Sequence, residues 1–100
     1  MNTRRGSRRF YAARCLVNGR QINEIAIDPH YEEKHRDIHD ELILELVALL
    51  NGNYYQPEER HEDWEFFSLD RIEHQEKRYR LVWCMRDEFN FIGVINCFRR

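Results

Sequence analysis

Leu42, Ile43, Leu46, Val47, Leu49 and Leu50 recur at the spacing that aligns side chains along one stripe of an α-helix, while Glu41 and Glu45 fall on its other side. Such a helix holds its place only by burying the stripe against another element, and the runs on either side of it are strand-like. The chain therefore reads as α+β, with helix packed on sheet. A cap near Asp37 or His39, Asp40 and Glu41 in the first turn and Asn51-Gly52 at the end bound the helix.

Asn18-Gly19 lies between residues 10–17 and 20–27, two strand-forming runs, and is the strongest short signal for a type I′ hairpin. Counting back from a two-residue turn places Phe10, Ala12, Leu16, Ile25 and Ile27 on one face, the expected core face. Asp28 caps a short first helix over residues 31–36, with Pro29 at its first position. Residues 53–62 read as a polar loop. Strands follow over 64–69, 78–85 and 91–98, with a short turn at residues 86–89. The expected architecture is a five-stranded antiparallel sheet of order β-β-α-α-β-β-β with two helices on one face. Residues 1–7 are expected to form a flexible basic arm before a single domain at 8–100.

Charge is distributed unevenly. Residues 28–76 hold 15 Asp/Glu against four Lys/Arg, a net of −11, whereas the whole chain has a net charge of −2. Fourteen of the 16 basic residues are arginine, the side chain best shaped to grip phosphate. The pattern predicts acidic helices behind the sheet and arginines in front; it reads equally as charge placed for solubility or as a basic sheet surface that meets a polyanion. No apolar run approaches the roughly 20 residues that cross a bilayer. The polar start of the chain does not read as a secretory signal. Cys15, Cys84 and Cys97 have no metal-ligand spacing and sit in apolar runs. Buried free thiols and a cytoplasmic location are therefore expected.

His30, His35 and His39 lie close together, but Asp37-Ile38 interrupts the helix between the last two and no cysteine accompanies them, so no metal is expected. Metal-free cleavage of RNA through the 2′-hydroxyl needs an acid, a base and a cation at the phosphate. His30, His35, His61 and His74 are the candidate acids and bases. Arg78, Arg80, Arg86, Arg99 and Arg100 are the candidate cations, with Arg78, Arg86 and Arg100 the RNA-binding set. Tyr54-Tyr55 could stack on a base, although packing against the second helix is the simpler reading. Trp64, Phe66, Trp83, Phe91 and Phe98 read as core. Gly-rich phosphate loops, Gly-x-Ser-x-Gly and Cys-x-x-Cys are absent, which argues against a nucleotide-dependent or hydrolase-fold enzyme.

Tyr31-Glu32-Glu33-Lys34-His35 with Ile38 and the following helix resembles the Lys-His-Gly-Ile/Val segment of BrnT-type toxins. Arg78-Tyr79-Arg80-Leu81-Val82-Trp83, Ile92-Gly93-Val94-Ile95 and the terminal Arg99-Arg100 are similar to the last hairpin of RelE/ParE-like toxins. The resemblance spans about residues 25–100. It departs at Arg36-Asp37, where BrnT-type chains carry glycine, in the N-terminal hairpin and in overall charge. It implies an endoribonuclease toxin held in check by an antitoxin, with His35, Arg80 and Arg99 nearest the catalytic positions and His61 and Arg78 beside them. The alternative is a non-catalytic interaction module whose acidic segment covers a basic protein. The partners in view are an antitoxin, RNA and a second copy in a homodimer; neither a membrane nor a cofactor is called for.

Overall fold

The computed structural model describes residues 8–100, so the expected arm at 1–7 lies outside the described residues. Its strands are β1 (Arg9–Val17), β2 (Arg20–Ile27), β3 (Glu59–His61), β4 (Trp64–His74), β5 (Lys77–Arg86) and β6 (Phe91–Arg99). Its one α-helix is α1 (Asp40–Ala48), and a 3-10 helix spans Pro29–Glu33. The strands form one sheet in the order β1-β2-β6-β5-β4-β3.

This corrects the expected five-stranded antiparallel sheet with two helices. The sheet has six strands and is mixed, because β6 inserts beside β2 in parallel, with Ile25 opposite Ile92 and Ile27 opposite Val94. A parallel pair needs a long crossover, here the whole stretch from the 3-10 helix to β5, and nothing local in the sequence signals it. The sixth strand, β3, is a three-residue edge strand, exposed throughout. It contains no apolar residue to betray its period. The expected first helix is only a 3-10 turn: Asp28 accepts from the His30 amide, and the Lys34 amide already turns back to the Tyr31 carbonyl.

The helix forms where its stripe predicts. His39 caps it, its Nδ1 accepting from the Leu42 amide, and Leu42, Ile43, Leu46 and Val47 are buried. Leu49 turns outward. The stripe joins a cluster with the inward residues of β5, Tyr79, Leu81, Trp83 and Met85, together with Ile25, Ile27, Ile92 and Val94. Among the described residues no helix is long and apolar enough to cross a membrane. Cys15 and Cys97 are buried free thiols and Cys84 is partly buried. Burial pushes the Cys97 thiol up to about 12.

The first hairpin closes at Asn18 (φ 55°) and Gly19 (φ 74°), the left-handed pair of a type I′ turn. Its expected core face is inverted halfway along. One extra residue of β1 between Ala12 and Cys15 forms a bulge, so Phe10 pairs with Ala26 and Ala12 with Glu24 rather than with Ile27 and Ile25. A one-residue slip exchanges the faces. Tyr11 and Ala13 therefore pack against the core, while Phe10 and Ala12 stand exposed; Leu16, on the turn side of the bulge and in its expected register opposite Gln21, also faces outward, because Cys15, Val17 and Ile22 take the core side there.

The β4–β5 turn takes the same left-handed shape without glycine, at Gln75 (φ 52°) and Glu76 (φ 69°). Left-handed backbone costs an L-residue about 1 kcal/mol. The double variant Gln75→Asn/Glu76→Gly is thus expected to stabilise the protein by about 1 kcal/mol, a gain of several degrees in Tm. An unchanged or lower thermal midpoint would show that the turn is not strained.

Candidate nucleic-acid interface

The face of the sheet opposite α1 carries a row of cross-strand partners that spans five strands. Phe66 of β4 pairs with Cys84 of β5, Cys84 with Gly93 of β6, Gly93 with Ala26 of β2, and Ala26 with Phe10 of β1. Small residues in the middle of the row and rings at its ends leave a groove of about 480 Å³, lined also by Trp64 and Phe91. Gly93 is favoured by close approach rather than by a turn: a Cβ there would lie 3.0 Å from the Cys84 Sγ, which would have to shift. Burial raises the Cys84 thiol, and the charge of Arg8 and the hydrogen bond with the Gly93 backbone offset part of the rise.

The aromatic residues expected in the core divide between the faces. Trp83 alone is fully buried, its ring stacked on Phe67 at 5.2 Å. Trp64, Phe66, Phe91 and Phe98 are half-buried on the open face, and Phe10 is 58% exposed. Trp64 contacts Phe89 and Phe91 at ring-centre distances of 5.9 and 6.0 Å, and Phe89 stacks on Phe91. Tyr55 packs edge-on against Trp83 of β5, a sheet residue and not the second helix of the simpler reading, and Tyr54 is 77% exposed beside Gly19.

Alternation along β5 puts Arg78, Arg80 and Arg86 on the open face, opposite to Tyr79, Leu81, Trp83 and Met85. Each guanidinium is oriented by a neighbour. Arg86 lies 5.0 Å from the centre of Phe89 and 5.7 Å from that of Trp64, and pairs with Asp63 at 3.1 Å and Glu88 at 3.3 Å. Arg80 donates to the Ser68 hydroxyl at 3.1 Å, and that hydroxyl bonds Glu58. Arg100 holds Asp70 at 2.8 Å, and Arg78 holds Glu73 at 3.3 Å.

The expected catalytic set is only partly gathered. His35 stacks on Phe98 at 5.2 Å, and Phe98 is the cross-strand partner of Arg80. Arg99 pairs with buried Tyr79 and so falls on the helix side of the sheet. His61 pairs with Trp64, which pairs with Arg86. The rows of Arg80 and Arg86 are six residues apart on one strand, roughly 20 Å, so His35 and His61 do not meet at one phosphate. His74 bonds Glu45 at 2.7 Å and ties β4 to α1; His30 lies beside Glu33 at 3.9 Å on the 3-10 helix. The groove itself escaped the sequence reading. Its only signal is three small residues, Ala26, Cys84 and Gly93; the short turn at residues 86–89 joins the strands of the last two, and nothing in the sequence sets the strand of Ala26 beside them.

Compared with models of known protein families, with curated proteins and with solved structures, the chain matches none.

Proposed function

We propose that this protein binds single-stranded RNA across the open face of its sheet, bases on the aromatic side chains and phosphates on Arg78, Arg80, Arg86 and Arg100. The observation that carries the reading is the interleaving of half-exposed rings with arginines on the one sheet face that α1 leaves uncovered. Every base has a π-face, so an aromatic platform takes single strands, and duplex bases are not free to use it. Pairing with the chain's own carboxylates does not disqualify the arginines. These pairs are partly or wholly exposed and are worth about 0–1 kcal/mol each, and a guanidinium has five N–H donors. Phosphate can replace the carboxylate on an arginine already held in place.

Fluorescence anisotropy with a labelled oligo(U) tests the proposal. Binding is expected to weaken steadily as salt rises. Trp64→Ala is expected to weaken it about tenfold, because one base–ring stack is worth about 1–3 kcal/mol. A duplex of equal length should bind less well. Absence of binding to any single strand at low salt would overturn the reading. Cleavage is a further proposal, resting on His35 stacked on Phe98, the cross-strand partner of Arg80. It requires RNA to be shortened in EDTA, alone or with ribosomes, and His35→Ala to abolish the products.

A protein-interaction module is the second reading. It is favoured by the carboxylate beside each of Arg78, Arg80, Arg86 and Arg100, which balances the charge of the face and leaves the groove as its apolar feature. An antitoxin or a second copy of the chain would then fill the groove.

A further inference from the structure

Among the described residues the groove has two charged side chains in its lining, Arg8 and Asp28, of opposite sign and not paired with each other. Asp28 spends Oδ1 on the His30 amide at 2.9 Å, and its second oxygen has no partner among the described residues. Arg8 likewise makes no ion pair among them. Four aromatic rings, Phe10, Trp64, Phe66 and Phe91, form the walls. An acyl chain would satisfy the walls and leave both charges unmatched. A planar ring with a donor on its edge and an anionic group attached satisfies all of them. The volume of about 480 Å³ is in the range of small-molecule sites, roughly 300–1,000 Å³.

We propose that this groove takes a single unstacked nucleobase with an exocyclic amino group, cytosine or adenine, whose amine donates to Asp28 while Arg8 holds the adjoining phosphate. The inference rests on the RNA-binding reading and adds base preference to it. Carboxylates accept from the cytosine amine in just this way, whereas uracil presents a carbonyl oxygen at the same position and is repelled.

The minimal comparison is oligo(C) against oligo(U), which differ at that group and at the adjoining N3, an acceptor in cytosine and an N–H donor in uracil. Oligo(C) is expected to bind about tenfold tighter. Asp28→Asn keeps an oxygen for the His30 amide, so the 3-10 helix retains its cap. The same variant can donate to the uracil oxygen. Its preference for oligo(C) is therefore expected to vanish, with an unchanged thermal midpoint. Cys84 gives a second readout, since Cys15 and Cys97 are buried and Cys84 lies in the groove. Oligo(C) should slow its reaction with an aromatic disulfide reagent, and Cys84→Ser should remove that reaction. Equal affinities for the two oligomers with Cys84 unprotected would overturn the base pocket and leave RNA binding standing. Protection of Cys84 by a fatty acid or by a second copy of the chain, without protection by oligo(C), would also overturn it. Failure to bind either oligomer would remove the parent reading as well.

Discussion

Trp83→Ala is expected to cost about 3–5 kcal/mol, a large share of the roughly 5–15 kcal/mol that holds a chain of this size together. The indole is fully buried, lies parallel to Phe67 with 7° between the planes, and meets the edge of Tyr55, which reaches it from the segment after α1. Truncation would open a cavity under the helix stripe, and both neighbours would lose their partner. Trp83→Phe is expected to behave quite differently. The indole Nε1 is buried with no acceptor among the described residues, a situation that costs about 1–3 kcal/mol. Phenylalanine deletes that donor and keeps a ring against Phe67, so the penalty for lost volume is partly offset and the net change should stay below about 1.5 kcal/mol. Urea denaturation of both variants measures the difference. Equal losses would mean that the N–H is satisfied in solution and that the expected contrast is wrong.

The helix and the first turn were legible in sequence because each has a signal of its own. A 3.6-residue period marks α1, and Asn18-Gly19 satisfies two left-handed positions at once. The pairings β1–β2, β4–β5 and β5–β6 were legible from their short connections, and the order that sets β6 beside β2 was not. Nothing in residues 91–99 says that β6 lies parallel to β2, since the pairing is made by packing across the whole chain. The bulge in β1 hides for another reason: a single unpaired residue leaves no trace in a run where alanine, arginine and leucine fit either face. Its effect is large, because it sends Phe10 to the open face.

The candidate site was legible in one strand. Arg78, Arg80 and Arg86 alternate with buried residues, so their common face follows from period two. The rings were misassigned because β4 has aromatic side chains on both sides: Phe67 points to the core, while Trp64 and Phe66 point away. Alternation shows that Trp64 and Phe66 share a face and cannot say which face a helix will cover. That depends on α1 and on where β1 is anchored.

The anchor is Asp40, and Asp40→Asn is expected to cost about 2–3 kcal/mol at neutral pH and to flatten the acid limb of the stability profile. The carboxylate accepts from Arg9 Nε at 2.6 Å, from the Tyr31 hydroxyl at 2.6 Å and from the Tyr11 hydroxyl, and so joins β1, the 3-10 helix and the first turn of α1. Its side chain is only 15% exposed. Burial alone would raise its pKa. Hydrogen bonds from these three residues, Arg9 donating a second one at 3.1 Å, together with the Arg9 charge outweigh burial and hold it at about 2, against an ordinary 3.8. A depressed folded-state pKa means that the unfolded chain takes up the proton first. The stability Asp40 contributes, about 2 kcal/mol, is therefore complete above pH 3.8 and is lost as pH falls through about 2. Asparagine has no proton to take up and turns two N–H donors toward groups that are themselves donors, so its loss is already present at pH 7. Denaturation curves at pH 7 and near pH 3 separate these cases; parallel losses in both proteins would exclude the linkage. The consequence reaches the groove. Arg9 and Tyr11 alternate with Phe10 along β1, so the clamp on one face holds the wall on the other. Asp40→Asn is accordingly expected to weaken RNA binding as well, although Asp40 is on the far side of the sheet from the groove.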